Sequence, residues 1–352
     1  MKKEIPELDA VVGIGSNGKI CDIIREILLD KQAVCSYGAK TELSMEGGRI
    51  ISTEPFYAYI KIAEGCSNNC TYCAIPSIRG KYRSRRMEDI VKEARWLAEN
   101  GVTELVVVAQ DTTRYGEDIY GKSMLPELLT ALCEIDGFKW IRTLYCYPER
   151  ITDELLDVIA KEDKLVKYLD MPIQHCDKTI LKRMNRHGDR ETLTALIKKI
   201  REKIPNVTLR TTLITGFPGE TEEQFEELCE FVKEIRFERL GCFAYSPEEG
   251  TPAEKFEDQV PLKDRERRAE IIMEEQMIVS DSLNEAALDS EVEVVCEGFD
   301  RYAECYYGRS QADAPEIDGK IFFLSEDKVR VGEYVKVKID DTMDYDLIGS
   351  KM

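Results

Sequence analysis

The sequence predicts an α/β protein in which a partial (β/α)6 barrel of the TIM-like type lies between the remnant of an N-terminal α/β domain and a small all-β barrel. Two observations carry this prediction. From residue 57 to about residue 243, apolar strand-like runs alternate with amphipathic helical runs, as in a parallel sheet with helical crossovers. Beyond residue 289, short strand-like runs are separated by turn residues without a helical period, which indicates a small barrel.

The first fifty residues contain one strand-like run, Ala10–Ile14, and one helical run, Ile20–Leu29. These two elements are too few to bury a core by themselves, because so small a unit removes little apolar surface from water. We therefore interpret residues 1–50 as part of an N-terminal α/β domain.

Residues 51–255 are predicted to form the parallel barrel. The run Leu105–Ala109 has no polar alternation, which is typical of a parallel strand covered on both faces. Gly101 follows the helical run Met87–Asn100 as a C-cap, and Thr221–Gln224 matches a capping box that opens the helix Glu222–Ile235. The predicted strands are Tyr57–Ala63, Glu104–Ala109, Trp140–Cys146, Lys167–Met171, Thr208–Thr215 and Arg239–Phe243. Ligands of such folds bind at the carboxyl ends of the strands.

Residues 256–288 are charged with a helical period, and we interpret them as a helical connector. Residues 289–352 are predicted to form a five-stranded, OB-like barrel. Its predicted strands are Glu291–Val295, Cys305–Gly308, Lys320–Leu324, Tyr334–Ile339 and Asp346–Ile348. After residue 282 there are 17 acidic and 8 basic residues, so this tail carries about half of the net charge of −19.

The composition indicates a cytoplasmic enzyme without a membrane partner. No apolar run is long enough to span a bilayer, and Met1–Pro6 lacks the apolar core of a signal peptide. Twelve cysteines outside a secretory context indicate metal ligands and buried thiols. The acidic balance is the opposite of what phosphate binding requires. The basic run Arg79–Arg86 is either a solvated loop or an anion-facing one.

Three cysteines, Cys66, Cys70 and Cys73, follow the first predicted barrel strand with the spacing C-x-x-x-C-x-x-C. A structural zinc site takes four ligands, and the fourth would have to be a distant cysteine or one of the two histidines, His175 and His187. A cubane iron–sulfur cluster held by three thiolates instead leaves one iron open for a small molecule. The spacing therefore favours an iron–sulfur cluster over zinc.

Three polar loops follow other predicted strands and have two interpretations each. Gln110–Gly116 is either an ordinary loop or part of a site at the strand end. Thr215–Glu220 is either a plain turn or a glycine-rich loop whose backbone amides face a ligand. In Asp170–His175, the histidine is either a packing residue or a catalyst. The residues alone leave these alternatives open.

Several motifs, taken in order, resemble the methylthiotransferases, which are radical S-adenosylmethionine (SAM) enzymes with a terminal β-barrel of the TRAM type. The resemblance covers nearly the whole chain, and the loop Ala109–Gly116 and the tail segment Tyr307–Gly319 are most similar to the RimO type. The other motifs that carry it are Cys66–Cys73, Val107–Asp111, Leu169–Gln174, Ile180–Arg186 and Ile214–Thr221.

The resemblance implies the cofactors and their site. Cys66, Cys70 and Cys73 would hold a [4Fe-4S] cluster whose open iron binds the amino and carboxylate groups of SAM, with Tyr72 beside the last cysteine. The resemblance suggests Gln110 and Asp111 for the amino end of SAM. It suggests Gly216 and Pro218 for the adenosine side.

The resemblance also implies the reaction and the partners. RimO-type enzymes place a methylthio group on the β-carbon of an aspartate in a small-subunit ribosomal protein, and they need a reductant protein such as flavodoxin or ferredoxin. Their sulfur comes from a second cluster, held by three cysteines of the N-terminal domain that neither Cys21 nor Cys35 matches. The sequence start resembles the stretch after those cysteines, so we expect an N-terminally truncated member.

Two alternatives of other classes remain. A transfer-RNA adenosine methylthiotransferase shares the barrel motifs, and a non-catalytic, zinc-bearing binding protein shares the cysteines. The acidic tail favours a basic ribosomal protein over RNA, because opposite charges attract over long range. We expect Asp313, Glu316 and Asp318 to contribute to this attraction.

Overall fold

The computed structural model describes residues 5–30, 34–52 and 54–352, with the side chain of residue 30 left aside. In the N-terminal part, strand β1 (Ala10–Val12) is followed by a 3-10 helix (Ile14–Lys19), helix α1 (Ile20–Asp30) and strand β2 (Val34–Ser36). The predicted strand and helix are confirmed, whereas β2, which pairs with β1 in parallel, was not predicted. Residues 1–4 and 31–33 of the predicted N-terminal unit, and residue 53 of the predicted barrel, lie outside the described residues.

The central part alternates strands and helices as the sequence predicts. Its strands are β3 (Tyr57–Lys61), β4 (Ala63–Glu64), β5 (Arg83–Ser84), β6 (Glu104–Val108), β7 (Trp140–Thr143), β8 (Tyr168–Asp170), β9 (Thr208–Thr215) and β10 (Arg239–Ala244). Its helices are α2 (Ile75–Arg79), α3 (Met87–Glu99), α4 (Glu117–Tyr120), α5 (Leu125–Cys133), α6 (Asp153–Lys161), α7 (Lys178–Arg183), α8 (Arg190–Lys203), α9 (Glu222–Ile235) and α10 (Leu262–Ala286). Short 3-10 turns occupy Lys40–Glu42, Thr112–Arg114, Pro148–Arg150 and Ala253–Lys255.

The long strands form two parallel sheets, in the orders β3-β6-β7 and β8-β9-β10. A parallel bridge between Ile141 and Leu165 joins the two sheets, and the Cys146 amide donates to the Asp170 carbonyl at 2.8 Å. Six parallel strands therefore follow one another in chain order, which is the open (β/α)6 arrangement. All their carboxyl ends lie at one edge, which we call the mouth of the barrel.

The main hydrophobic core lies between these strands and the helices that cover them. Ile60, Leu105 and Leu169 from the strands meet Leu97 and Phe231 from the helices, all of them buried. Helix α10, predicted as part of a connector, packs against β9, β10 and α9 and contributes Ile272 to this core. The domain limits 1–50, 51–255, 256–288 and 289–352 stay a prediction.

The C-terminal part is the closed five-stranded barrel that the sequence predicts. Its strands lie in the order β11-β12-β13-β15-β14 around a core that includes Val294, Phe323 and Val337. The strands are β11 (Glu291–Asp300), β12 (Cys305–Arg309), β13 (Ile321–Leu324), β14 (Tyr334–Met343) and β15 (Asp346–Lys351).

The C-terminal barrel covers the inner face of the parallel strands. Val295 and Ala314 pack with Tyr57, Trp140 and Tyr168 in one buried cluster. Buried charges join the same two parts. Arg309 donates to Glu104 at 2.8 Å, and Arg142 also pairs with Glu104 at 3.1 Å.

Three acidic residues expected to face a substrate lie at this contact instead. Asp313 is buried and pairs with Arg239 at 2.6 Å. The Asp318 side chain is also buried and accepts from the Tyr168 hydroxyl at 2.6 Å, and Glu316 accepts from Tyr57 at 2.9 Å. The expectation that these three residues attract a basic protein is wrong for Asp313 and Asp318, because both carboxyl groups are buried and bonded inside the molecule.

Within the described ranges, no helix has both the length and the apolar character needed to cross a membrane.

Candidate active site

The cysteine loop leaves strand β4 at the mouth of the barrel. Gly65 opens it with φ of +75°, and a Cβ at this position would lie 2.5 Å from the Lys81 carbonyl oxygen. Only glycine fits there. The Cys66 amide then donates to the Gly80 carbonyl at 3.1 Å, which turns the loop back over α2 and β5.

The loop is held on its other side by the segment that follows α7. The Thr71 amide donates to the Met184 carbonyl at 3.0 Å, and its hydroxyl donates to the Arg183 carbonyl at 2.8 Å. The Asn185 side-chain amide donates to the carbonyls of residues 68 and 69, at 3.1 and 3.0 Å. The motif Ile180–Arg186 therefore supports the cysteine loop.

The three thiols are shielded from water and close enough to influence one another. Cys66 and Cys70 are buried and Cys73 is half-buried. Burial raises the pKa of Cys66 and of Cys73, and each of the two is raised further by charge on Cys70. In this conformation both are neutral thiols at neutral pH, and metal binding would release their protons.

The donor set fits an iron–sulfur cluster. Three thiols in one short loop are the soft ligands that such clusters take. In the part of the chain that the structure describes, no group of three or more His, Cys, Asp or Glu side chains is arranged to hold a metal ion. The fit therefore rests on the chemistry of the thiols and on their shared shielding.

Tyr147 and Arg186 adjoin the central cysteine. Neither is among the predicted site residues, although Arg186 ends the motif Ile180–Arg186. The Cys70 sulfur and the Tyr147 hydroxyl are 2.7 Å apart, and the Arg186 guanidinium lies over the Tyr147 ring at 3.8 Å from its centre. Arg186 is buried and donates to the Pro172 carbonyl at 2.6 Å, but its Nε has no hydrogen-bond partner among the described residues. A buried cation beside these thiols stabilises negative charge on sulfur.

Tyr72, the aromatic residue of the cysteine motif, is half-buried beside the same group. Its ring meets Phe217 edge-on, with 6.5 Å between ring centres. Burial raises the pKa of Tyr72, and charge on Cys70 raises it further. The residue therefore stays a neutral phenol next to the thiols.

Asp111 and Gln110, predicted together, have different surroundings. Asp111 is buried, and its two oxygens accept from the Asn68 side chain at 2.8 Å and from the Thr113 hydroxyl at 2.5 Å. It thus ties the cysteine loop to the loop after β6. Gln110 is exposed and lines a cavity at the mouth.

This cavity has a volume of about 420 Å³ and adjoins the cysteine loop. Its walls come from β3, β4, α2, the loops after β6 and β7, and the β12–β13 connection of the C-terminal barrel. They include Lys61, Glu64, Arg79, Gln110, Tyr145 and Ile317. The cysteines themselves do not line it, but Glu64 and Arg79 lie next to the two ends of the loop segment that carries them. A larger cavity of about 830 Å³ lies on the C-terminal barrel, away from these residues.

Tyr145 gives this cavity a strained wall. Its φ is +60°, which a tyrosine rarely adopts, and the residue is 45% exposed. The backbone is held by a hydrogen bond from the Tyr145 amide to Asp170 at 2.9 Å. Strain of this kind concentrates at functional sites. A positive φ for tyrosine has no sequence signal, so the residue was not predicted.

Gly216 and Pro218 are buried away from this cavity. A Cβ on Gly216 would lie 2.4 Å from the Arg265 side chain, so α10 packs directly on this glycine. The Gly216 amide donates to Glu220 at 2.9 Å. This amide therefore already has an acceptor within the chain, and the structure gives Gly216 a packing role.

His175 belongs to the same buried region. Its Nδ1 accepts from the Asp177 amide at 2.9 Å, and its Nε2 lies 3.6 Å from the Glu220 carboxylate. This environment fits the packing interpretation of the histidine.

The basic run Arg79–Arg86 mostly holds the N-terminal part of the chain. Arg83 donates to the carbonyls of Lys40 and Thr41 at 2.9 Å each. The buried Arg85 pairs with Glu46 at 2.5 Å and with Glu93 at 2.7 Å. Neither predicted interpretation describes these two arginines, because both are occupied inside the molecule.

The comparisons with known proteins agree with this architecture. A family model of the Radical SAM superfamily matches residues 60–232, and one of the TRAM domain matches residues 290–351. The ribosomal protein uS12 methylthiotransferase RimO of Clostridium tetani (strain Massachusetts / E88) is 48% identical over 351 residues, which cover 99% of this chain and 78% of that protein. The protein of the same name from Clostridioides difficile (strain 630) is 50% identical over 349 residues, again 99% and 78% of the two chains.

Among solved structures, the radical S-adenosylmethionine methyltransferase TsrM from Kitasatospora setae, with tryptophan and a SAM analogue bound, aligns with a TM-score of 0.51. The alignment covers 67% of this chain and 52% of that chain at 16% identity. A likeness at this identity shows the shared fold alone.

Proposed function

The chain belongs to the ribosomal protein uS12 methylthiotransferase (RimO) family, and from that premise we propose that it adds a methylthio group to a residue of uS12 by radical SAM chemistry. The observation that carries the proposal is the shielded group of three thiols in a loop that directly follows Glu64, which lines a cavity at the barrel mouth. The residue modified is an aspartate and the carbon its β-carbon, as the sequence resemblance implies.

Cys66, Cys70 and Cys73 hold the [4Fe-4S] cluster in this proposal. When bound, the cluster supplies the electron that cleaves the sulfonium bond of SAM. Arg186 stabilises the negative charge of the thiolates, and the Tyr147 hydroxyl, 2.7 Å from the Cys70 sulfur, hydrogen-bonds to it. The raised pKa values of Cys66 and Cys73 mean that cluster assembly releases protons from this loop.

The other predicted site residues take different roles. Gln110, exposed in the cavity, is proposed for the amino end of SAM. Asp111 acts through Asn68, which it fixes at 2.8 Å, and so positions the cysteine loop. Tyr72 shields the thiols. Gly216 and Pro218 support the adenosine side only indirectly, through the packing of α10 on the loop after β9.

The sulfur donor and the partners follow from the family. We propose a second cluster as the source of sulfur. Cys21 and Cys35 are exposed and lie on α1 and β2, outside the loop that carries the three thiols. We further propose flavodoxin or ferredoxin as reductant. The activity is placed in the cytoplasm, where ribosomal proteins are made.

The test uses the chain reconstituted anaerobically with iron and sulfide. We expect a brown protein that bleaches on reduction, forms deoxyadenosine from SAM, and adds methylthio mass to uS12 in the presence of its sulfur donor. Ala substitution of Cys66, Cys70 or Cys73 should abolish the colour and the deoxyadenosine. Cys229→Ala, on the barrel helix α9, is the control and should keep both. Full iron content in Cys70→Ala would show that the cluster lies elsewhere.

A further inference from the structure

The cavity beside the cysteine loop is lined by two cationic side chains, Lys61 and Arg79, and by one carboxylate, that of Glu64. Lys61 donates to Glu64 at 2.6 Å, and Arg79 lies 3.5 Å from the other oxygen of the same side chain. Glu64 is the one acidic residue among the described residues that line this cavity. Two cations therefore share one anion, and a net positive charge faces the cavity.

These two cations remain available to a ligand. Their side chains are 46% and 41% exposed, whereas that of Glu64 is 3% exposed. The Arg79 guanidinium is beyond hydrogen-bond distance of Glu64, and the Lys61 ammonium has donors beyond the one that Glu64 accepts. By contrast Arg85, from the same basic run, is 4% exposed and pairs with two carboxylates.

Resting on the proposed function, we propose that Lys61 and Arg79 bind the side-chain carboxylate of the uS12 residue that is modified, with Glu64 fixing both cations in place. A carboxylate is the ligand that a lysine and an arginine side by side recognise best. SAM also carries a carboxylate, but the family resemblance assigns that group to the open iron of the cluster. The carboxylate of the protein substrate has no such partner.

The arrangement would determine which carbon reacts. In aspartate the β-carbon is bonded directly to the carboxylate carbon, so two cations that hold the carboxylate also fix the β-carbon within one bond. In glutamate the same anchoring would present the γ-carbon instead. An asparagine would lose the charge and leave one cation without its anion, and buried or half-buried sites reject such substrates strongly.

The experiment compares uS12 with a variant in which the modified aspartate, located by mass spectrometry, is replaced by asparagine. The wild-type enzyme should modify the aspartate form roughly 10- to 100-fold faster, the range that one charge-assisted pairing supports. In Lys61→Met and Arg79→Met, the rate with aspartate should fall to near that with asparagine. Lys61→Arg should recover part of the difference because it restores the charge.

Equilibrium binding gives a second readout that does not need the cluster. Cluster-free wild type should bind the aspartate form of uS12 more tightly than the asparagine form, and Lys61→Met should bind both alike. Lys233→Met is the matched control. Lys233 pairs with Glu275 at 2.9 Å and is 55% exposed, but it lies on α9 outside the cavity. It should keep the wild-type preference.

The outcomes separate this inference from the proposed function. If wild type leaves both forms of uS12 unmodified, the proposed function fails. If wild type modifies uS12 but Lys61→Met and Arg79→Met keep its preference for aspartate, the inference fails. A parallel loss of deoxyadenosine formation in the absence of uS12 would also overturn it, because the cations would then serve SAM.

Discussion

The charges that face the interior of the parallel barrel differ sharply between its mouth and its contact with the C-terminal barrel. At the mouth, Lys61 and Arg79 remain 46% and 41% exposed around the buried Glu64. At the contact, Arg142 and Arg309 are 0% and 1% exposed around Glu104, which is itself 0% exposed. We call these the mouth group and the interface group.

The difference shows what each group can do. In the interface group most guanidinium donors are occupied inside the molecule. Arg309 donates to Glu104, Glu297 and the Asp313 carbonyl, and Arg142 donates to Glu104 and, at 2.9 Å, to the Gln311 carbonyl. The Nη2 of Arg142 is buried and has no hydrogen-bond partner among the described residues. Such charges join two parts of the chain and cannot recruit a partner. The mouth group keeps donors free beside the cysteine loop. The acidic composition of the tail therefore does not translate directly into an acidic binding surface.

Removing a cation from the interface group should have the largest effect on stability. Arg309→Met leaves Glu104 and Glu297 short of a partner in a buried contact, so we expect a loss of about 3–5 kcal/mol in the free energy of unfolding. Urea denaturation measures this loss. The control is Arg190→Met, whose pair with Glu234 at 2.8 Å lies on the surface and should contribute about 0–1 kcal/mol. If both variants lost the same free energy of unfolding, the buried ion pairs of the interface group would contribute no more to stability than an exposed ion pair.

Much of the fold could be predicted because its signals are local. Strand Thr208–Thr215 and helix Glu222–Ile235 have the predicted bounds, since the capping box of Thr221 and Gln224 fixes where that helix begins. Strand Trp140–Thr143 ends before the predicted Cys146 because the chain turns at Tyr145 with a positive φ. That turn depends on a tertiary contact with Asp170.

The packing of helix α10 against the barrel could not be predicted from the sequence. The residues it buries include Arg265, Arg268, Gln276 and Asn284, so its inward face is polar and hydropathy cannot reveal it. These side chains form polar contacts across the interface: Arg268 pairs with Glu220 at 2.8 Å, and Gln276 donates to the Phe237 carbonyl at 2.9 Å. The Arg268 Nε and the Gln276 Oε1 are buried without a hydrogen-bond partner among the described residues.

The candidate site divides in the same way. The three cysteines are close in sequence, so their spacing indicated a metal centre. Lys61, Arg79 and Ile317 line one cavity only in the folded chain, and Ile317 comes from the C-terminal part of the sequence. The role of Gly216 at the adenosine side stays a prediction; the close approach that this glycine allows in the described residues is to Arg265. A glycine-rich pattern indicates that another group approaches the backbone closely, but it does not indicate whether that group is a ligand or a side chain of the same chain.

The mouth group should contribute much less to stability than the interface group. In Lys61→Met, Glu64 keeps Arg79 and the Gly65 amide as partners, and the lost pair is half-solvated. We therefore expect a loss of less than about 1 kcal/mol in the free energy of unfolding. Thermal and urea denaturation of the cluster-free protein measure it. A loss as large as that of Arg309→Met would mean that the mouth charges hold the fold, as the interface charges do.

The smallest effect at neutral pH is expected for Asp318→Asn, which removes a charge from the barrel contact while keeping an oxygen to accept from Tyr168 and from the Ala314 amide. Burial raises the pKa of Asp318 above its ordinary value, so folding favours the neutral carboxyl. The stability that this carboxyl contributes is therefore present below its ordinary pKa of about 3.9 and is lost as the pH rises through its higher pKa in the folded protein.

Asp318→Asn cannot ionise, so its stability relative to wild type should rise as the pH rises from about 4 toward about 7. Near neutral pH it should lie within about 1 kcal/mol of wild type. Urea denaturation across this range measures the difference, with Asp327→Asn, at an 86% exposed carboxyl, as the control for general charge effects. If the variant instead loses stability relative to wild type as the pH rises, the ionised carboxylate stabilises the contact through Arg210, which lies 3.6 Å away. Asp318 would then belong with Asp313 among the charged residues that stabilise this contact.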